Sequence, residues 1–352
     1  MGPKVEGRMS KEKNNQMNST PKNILVIQTA FIGDIIMSTP LFSMLKKAYP
    51  DAEIDVVVNS RHTSILSNNP YIRNVFGFNK STNKIRNLVK LIRVIRKNRY
   101  DLAVSMQIHL SSTLMMGLGG IKKRVGSSRQ KLLTHPVVFH PGMHIREKAA
   151  MLVRALKEDN YDMQTQLYPS ASDRNTANQY LRNNKQFRLG IAPGSVWETK
   201  KWPKEYYLEA IAALISEADV YLIGGKDDLR LCDEIINRTP GGNVINTAGK
   251  LSLLQSAALI DQLDLLLCND SAPLHMANAM NTPVFAIFGP TVKKFGCYPY
   301  QDNDKMIEID LYCRPCSKHG GNICPEGHFR CMKDIRPERV VREVLAFKGN
   351  RG

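Results

Sequence analysis

The strongest constraint on the fold is a repeated alternation of short apolar strands and amphipathic helices. The first series has a buried strand over Asn23–Thr29, a Gly-containing loop, a helix over about 35–48 and a second strand over Glu53–Val58. This order is typical of a parallel sheet, because parallel neighbours need a crossover connection. The alternation restarts at Arg188–Ala192 and continues to Pro283–Phe288.

Two such series predict an α/β chain with two doubly wound, Rossmann-like parallel-sheet domains that face each other across a cleft. We expect a disordered tail over residues 1–22, an N-terminal domain over 23–175, a C-terminal domain over 186–335 and a C-terminal helix or tail over 336–352. No apolar run reaches the roughly 18 residues that cross a bilayer, and no secretory signal opens the chain. A cytoplasmic location is therefore expected.

The charge of the chain is strongly asymmetric. The formal net charge is +17, and residues 1–175 hold 27 basic and 12 acidic side chains against 22 and 20 in the remainder. The basic half predicts an anionic partner, which nucleic acid, anionic lipid or a phosphorylated substrate would satisfy. Lys84–Arg99 holds seven basic and no acidic residues, and Lys122, Lys123 and Arg124 form a second cluster. A solvated helix face is the plainer alternative.

An acidic residue follows the first strand. Gln28–Thr39 runs from strand through loop to helix and places Asp34 at the turn. Such a turn lies at the carboxyl edge of a parallel sheet, where ligands bind, so Asp34 is a candidate general base. Capping of the helix is the alternative role. The chain has no GxGxxG motif, which disfavours a dinucleotide site.

Three turns of the second series carry candidate ligand-binding groups. Each follows an apolar strand, and the helix start after the first adds amide donors suited to a diphosphate. The alternatives are a solvated loop, a satisfied buried histidine and a plain tight turn. The candidates are Ser195, Thr199 and Lys200 in the first turn, Asp270, Ser271 and His275 in the second, and Gly289, Pro290 and Thr291 in the third.

Four of the seven cysteines are clustered near the C-terminus. They are Cys313, Cys316, Cys324 and Cys331. Four thiolates of this kind predict a tetrahedral structural zinc site. The alternative is a set of reduced cysteines in a compact loop, since the spacing differs from a double CxxC.

Taken in order, the motifs IGD–STP, GSVWETKKWP, NDSAPLHMANA and FGPT resemble glycosyltransferase family 9 over about residues 23–345. Within that family the chain is most similar to the ADP-heptose:lipopolysaccharide heptosyltransferases, particularly heptosyltransferase II. The resemblance implies the GT-B fold, with an N-terminal acceptor-binding domain and a C-terminal donor domain. It also implies that Asp34 is the base, that Lys200 contacts the donor diphosphate, and that the other motif residues line the donor site.

The resemblance further implies an inverting transfer of heptose from ADP-L-glycero-D-manno-heptose to a lipid A-Kdo-heptose acceptor of the lipopolysaccharide inner core. No obligatory catalytic metal is expected. The basic N-terminal half is then expected to dock on the anionic inner face of the inner membrane of a Gram-negative-type cell, with Lys122, Lys123 and Arg124 contacting the acceptor.

Three alternatives stay open. A family 9 enzyme with another nucleotide-sugar or acceptor would have the same fold and motifs. A non-catalytic nucleotide sensor would bind ADP without transfer. A nucleic-acid-binding protein would explain the net charge, but the chain lacks a recognisable module for one, so no specific nucleic acid is expected.

Overall fold

The computed structural model describes residues 20–182, 187–239 and 244–351. The predicted disordered tail lies almost wholly outside these residues, as does the predicted start of the C-terminal domain at residue 186. Among the described residues, no helix combines the length and the apolar character needed to cross a membrane.

Within these ranges the strands form two parallel sheets of six strands each. In the first sheet the order is β3-β2-β1-β4-β5-β6, and its central strand β1 is buried on both faces. The strands are β1 (Asn23–Gln28), β2 (Glu53–Asn59), β3 (Asn74–Phe78), β4 (Leu102–Ser105), β5 (Lys123–Ser127) and β6 (His135–Val137). The helices of this part are α1 (Ile32–Met37), α2 (Pro40–Ala48), α3 (Lys84–Asn98), α4 (Leu110–Leu118) and α5 (Ile145–Arg154).

The second sheet has the order β12-β11-β10-β7-β8-β9. Counted from the first strand of each sheet, both orders are 3-2-1-4-5-6, the order of a Rossmann fold. The strands are β7 (Phe187–Ala192), β8 (Ala218–Leu222), β9 (Val244–Asn246), β10 (Leu265–Asn269), β11 (Val284–Ile287) and β12 (Lys305–Ile307). The helices are α6 (Ala171–Asn178), α7 (Lys204–Leu214), α8 (Leu229–Arg238), α9 (Leu253–Ile260), α10 (Ala272–Ala279), α11 (Arg330–Lys333) and α12 (Pro337–Gly349).

The helix predicted over about 35–48 is two helices in the structure. Helix α1 ends at Met37 and α2 begins at Pro40, with Thr39 as its N-cap. The break follows from proline, which lacks the amide proton that a continuous helix would use at this position and is tolerated in a first turn. As a result, Asp34 lies on a short helix of its own.

The two sheets face each other through their carboxyl edges. Helix α1, which follows β1, packs against α10, which follows β10. Helix α6 packs on α9 of the second sheet, and the C-terminal helix α12 packs on α7. The doubly wound, two-domain α/β fold is thereby confirmed, while the domain boundaries remain predictions.

Candidate active site

Asp34 lies in the first turn of α1, at the carboxyl edge of the first sheet. Its half-buried carboxylate accepts a hydrogen bond from the backbone amide of Phe31, the N-cap residue, so the capping role is present. Burial raises the pKa of Asp34 above its usual range, and the charges of His319, Lys318 and Lys148 partly oppose that effect. A carboxylate with a raised pKa is a stronger base than an ordinary aspartate.

Gly33 brings Asp34 against the second domain. A Cβ atom at position 33 would lie only 2.7 Å from Cδ2 of His275 on α10. Burial lowers the pKa of His275 to about 4, so its ring is neutral near pH 7. The absence of a side chain at position 33 therefore lets the two domains approach closely at the predicted base.

Three motifs of the second domain converge on one carboxylate. The Nζ atom of Lys200 lies 2.6 Å from Oδ2 of Asp270, and both side chains are buried, with 12% and 7% of their surfaces exposed. The hydroxyl of Thr291 donates a hydrogen bond of 2.6 Å to the same oxygen. Lys200 keeps two further N–H donors after pairing with Asp270, and these can contact an anion.

Asn269 fixes the loop that carries Lys200. Its side-chain oxygen accepts hydrogen bonds from the amide of Trp202 at 3.0 Å and from the hydroxyl of Tyr207 at 3.1 Å. Its Nδ2 donates to the carbonyl of Pro193 at 2.8 Å. Asn269 begins the NDSAPLHMANA motif but was not among the predicted site residues, although it is a polar residue at the end of a fully apolar strand.

Other predicted donor-site residues hold the loops together. Thr199 is almost fully buried, and its amide and its hydroxyl form hydrogen bonds of 2.8–2.9 Å with the backbone of Gly321. The hydroxyl of Ser195 accepts from the amide of Trp197 at 3.4 Å, and that of Ser271 donates to the carbonyl of Asn269 at 3.4 Å. These hydroxyls are thus engaged within the protein.

The Gly289–Thr291 turn is equally crowded. A Cβ at Gly289 would lie 2.6 Å from Sδ of Met332, and Pro290 is buried beside it. The carbonyl of Gly289 accepts a hydrogen bond from Arg314, which also donates to the carbonyl of Thr291. The turn therefore links the loops of the predicted donor site to the segment of residues 313–331, which we call the cysteine-rich segment.

The predicted acceptor-binding cluster lies elsewhere. Lys123 and Arg124 begin β5, and Lys122 precedes them, so all three lie at the amino edge of the first sheet, opposite Asp34. The guanidinium of Arg124 donates to the carbonyls of Leu132 and Ile121. The structure does not bring this cluster to the cleft, and its contact with an acceptor remains a prediction.

The predicted zinc ligands share one segment. Burial raises the pKa of Cys331 to about 11, and the charges of Cys316, Cys324 and Cys313 act in the same direction, so these three thiols lie within electrostatic range of Cys331. In the part of the chain that is described, no three or more His, Cys, Asp or Glu side chains are arranged to hold a metal ion. The cysteines as placed do not form a ligand set, and structural zinc remains a prediction from their spacing.

Several groups at the cleft were missed by sequence reasoning. Burial raises the pKa of Cys297 to about 12, and the charges of Asp34 and Asp270 act in the same direction, so this thiol lies within electrostatic range of both carboxylates. His319 of the cysteine-rich segment and Lys148 of α5 act electrostatically on Asp34. None of them belongs to a motif with a known spacing, so no local signal identified them.

Comparison with known proteins gives consistent matches. The family model "Glycosyltransferase family 9 (heptosyltransferase)" matches residues 88–324. Lipopolysaccharide heptosyltransferase 3 of Escherichia coli is 32% identical over 74% of this chain and 82% of its own length. Lipopolysaccharide heptosyltransferase 2 of E. coli K12 is 29% identical over 92% of this chain and 98% of its own.

Solved structures match over similar lengths. E. coli ADP-heptose lipopolysaccharide heptosyltransferase II has a TM-score of 0.76 at 26% identity and covers 92% of this chain and 98% of its own. A family 9 glycosyltransferase from Veillonella parvula has a TM-score of 0.80 at 21% identity, over 93% and 97%. With these neighbours, the GT-B assignment of the fold is confirmed.

The contact at Gly33 gives a first prediction. Gly33→Ala forces a methyl group into the buried His275 ring, and we expect a loss of about 1–3 kcal/mol in the free energy of unfolding, measured by urea denaturation. Gly117→Ala is the matched control, because its Cβ would lie 3.6 Å from Leu132 in ordinary contact. Adding His275→Ala to Gly33→Ala should recover part of the loss, and equal costs for the two glycine variants would contradict the close approach.

The cysteine spacing gives a second prediction. If it specifies zinc, tag-free protein carries one zinc per chain by elemental analysis, because four thiolates satisfy its tetrahedral coordination. Cys316→Ser should then lose the metal, whereas the buried Cys232 lies in another element and Cys232→Ser should keep it. Metal-free protein with four titratable thiols in the segment would overturn the zinc assignment.

Proposed function

The chain belongs to glycosyltransferase family 9, and from that premise we propose that it moves heptose from ADP-L-glycero-D-manno-heptose to the lipopolysaccharide inner core with inversion of configuration. Its relatives are lipopolysaccharide and lipooligosaccharide heptosyltransferases, and one structural neighbour is an ADP-heptose enzyme. The proposed acceptor is lipid A-Kdo that already bears one heptose. Because relatives named heptosyltransferase 2 and heptosyltransferase 3 are both similar to this chain, the acceptor requires a direct test.

One observation carries the proposal. Across the cleft, helix α1, which carries Asp34, packs on α10, whose start follows Asp270 of the Lys200–Asp270–Thr291 cluster, and the charges of both carboxylates act on the thiol of Cys297. A base on one side and a cation on the other is the arrangement that an in-line displacement at a sugar carbon needs.

The chemistry follows from this arrangement. The acceptor oxygen attacks the anomeric carbon and forms the new C–O bond, while the bond from that carbon to the diphosphate oxygen breaks and ADP leaves from the opposite face. Asp34 takes the hydroxyl proton, and its raised pKa makes it a better base for this transfer. The bonding electrons leave with the diphosphate, where Lys200 stabilises the growing negative charge.

The buried Lys200–Asp270 pair has a further consequence for donor binding. An ion pair out of water is strongly dependent on its geometry, and removal of one partner leaves a costly unpaired charge. Asp270 therefore holds the ammonium of Lys200 in place before a donor arrives, with Thr291 fixing the carboxylate. We assign Lys200 to binding the donor diphosphate, and Asp270 and Thr291 to orienting the side chain of Lys200.

The roles of Asp34 and Lys200 give a third prediction. Asp34→Asn should lower kcat by at least about 100-fold, because it keeps the shape of the side chain and removes the base. ADP affinity, measured by calorimetry, should stay within about twofold. Lys200→Met should instead weaken ADP binding by about 1.5–3 kcal/mol, since it removes a charged hydrogen-bond donor.

The substrate assignment is tested with ADP-heptose and acceptors that carry zero or one heptose. Product only on the monoheptosyl acceptor supports the second heptosyl step, and product only on the heptose-free acceptor reassigns the enzyme to the first. ADP binding without any product would be consistent with the fold and the family but would contradict the assignment of heptose as the transferred sugar. ADP binding and turnover that fall together in Asp34→Asn would mean that Asp34 has a structural role.

We also propose that the enzyme docks peripherally on an anionic membrane through α3. Ile85 and Val89 lie one helical turn apart with 79% and 42% of their surfaces exposed. Arg86, Lys90 and Arg93 are exposed around them, and Lys80 near the start of α3 donates to the carbonyl of Thr29 at 2.7 Å. An apolar pair among cations suits the boundary between acyl chains and anionic headgroups, and it lies beside the cleft.

Vesicle co-sedimentation gives a fourth prediction. The triple variant Arg86→Glu, Lys90→Glu and Arg93→Glu should lose binding to vesicles with anionic lipid by more than tenfold, because each basic residue near the surface contributes about 1 kcal/mol. A matched triple reversal at Lys226, Arg238 and Lys333 in the second domain should bind like the unchanged protein. Equal losses in both variants, or binding that ignores anionic lipid content, would reject docking through α3.

A further inference from the structure

The cysteine-rich segment is the part of the donor domain that reaches Asp34. The ring of His319 lies 6.3 Å from the ring of Phe31, the residue whose amide donates to Asp34. Among the charged groups that act on Asp34, His319 and its neighbour Lys318 both come from this segment. The segment thus contacts the first domain at the base itself.

Side-chain contacts fix this segment to the donor loops. Arg314 donates to the carbonyls of Gly289 and Thr291 and forms an ion pair of 2.6 Å with Glu308, so one end is held to the turn beside Asp270. Thr199 binds the backbone of Gly321 from the other side. Both anchors lie within motifs predicted for the donor site.

Gly320 lies in tight contact with the Lys200 loop. Its φ is +95°, a conformation that favours glycine, and a Cβ there would lie 2.9 Å from Cβ of Trp197 and 3.2 Å from Cγ of Lys200. Lys200, the proposed donor-binding lysine, and Gly320 of the cysteine-rich segment therefore lie in close contact.

A second cation approaches Asp34 from its own domain. Lys148 is half-buried in the first turn of α5, a helix that packs against α1, the helix of Asp34, and whose start is fixed by the donor domain. The amide of Ile145 donates to the carbonyl of Gly296 at 3.0 Å, and Nε2 of His144 lies 3.1 Å from the carbonyl of Tyr298. Lys148 is thereby held in place by a contact between the domains.

We propose that Lys148 and Lys318, one from each domain, are positioning residues that keep the Asp34 carboxylate ionised for proton transfer. The cysteine-rich segment positions Lys318 near Asp34 through the same contacts that fix the loop of Lys200. This inference rests on the proposed role of Asp34 as the base. It gives the segment a task in the reaction that is independent of any bound metal. The position of the Lys200 loop and the ionised state of Asp34 then depend on the same contacts.

The sign of the expected pH effect follows from the charges that face Asp34, which are Lys148 on α5 and Lys318 and His319 on the segment; the thiol of Cys297 also faces it. Removal of a cation raises the pKa of Asp34 further, so the carboxylate stays protonated up to a higher pH. The acidic limb of the pH profile of kcat/KM must then move to higher pH. Lys318 is exposed, so its contribution is screened by salt, whereas that of the half-buried Lys148 is screened less.

The experiment measures kcat/KM for the acceptor against pH at saturating donor, and the fifth prediction concerns its acidic limb. Lys148→Met and Lys318→Met should each move the limb upward by about 0.5–1 pH unit, and the double variant by more. The charge-retaining Lys148→Arg and Lys318→Arg should leave it near its original place. Lys333→Met is the matched control, since Lys333 is exposed near the end of the segment and does not act on Asp34.

A measurement without turnover distinguishes a failure of this inference from a failure of the proposed function. Carboxyl-carbon NMR of the ligand-free protein, with Asp34→Asn for assignment, gives the pKa of Asp34 without any turnover. A raised pKa in the two methionine variants supports the inference even if no heptose acceptor is used. An unmoved pKa and limb in both variants, or an equal shift in Lys333→Met, overturns it.

Discussion

Two parallel sheets can share one active site only where their carboxyl edges meet, and in this chain that meeting depends on the contact of Gly33 with His275. Any side chain at position 33 would overlap the buried ring. Because α1 and α10 touch here, Asp34 on one helix lies near the cluster that includes Asp270 at the start of the other. The distance between base and donor site is therefore set by a residue that has no chemistry of its own.

Burial then decides how the charges behave. Asp34 and Asp270 lose water on both sides of the cleft, and each is compensated by cations rather than by solvent. Lys200 pairs with Asp270 at 2.6 Å, while Lys148 and the cysteine-rich segment act on Asp34. In a medium of reduced dielectric these interactions are stronger than on a surface, and an unpaired charge is correspondingly costly. The site is thus charged before substrate arrives, which is the preorganisation that charge transfer in a displacement requires.

The basic half of the chain contains two clusters of similar composition that lie at different places in the fold. The charge excess of the first 175 residues is a property of the sequence, and α3 displays it on an exposed face with apolar residues among the cations. The neighbouring cluster at Lys122–Arg124 has the same composition, but it begins a strand and so lies at the edge opposite the cleft. The two clusters therefore differ in position because of the direction of strand β5. The local residues did not reveal this direction, since β5 is short and mixed in polarity.

The sequence by itself determined the doubly wound architecture, since alternating buried strands and amphipathic helices leave few other packings, and it determined that polar motifs end the strands. It also placed Asp34, Lys200 and Asp270 at those ends. Only the tertiary structure decided that Thr199 binds Gly321. Only the tertiary structure, too, brought Lys148 and His319 to Asp34. These contacts join residues that are over 100 positions apart, and no local periodicity records a pairing that arises when two domains close on each other.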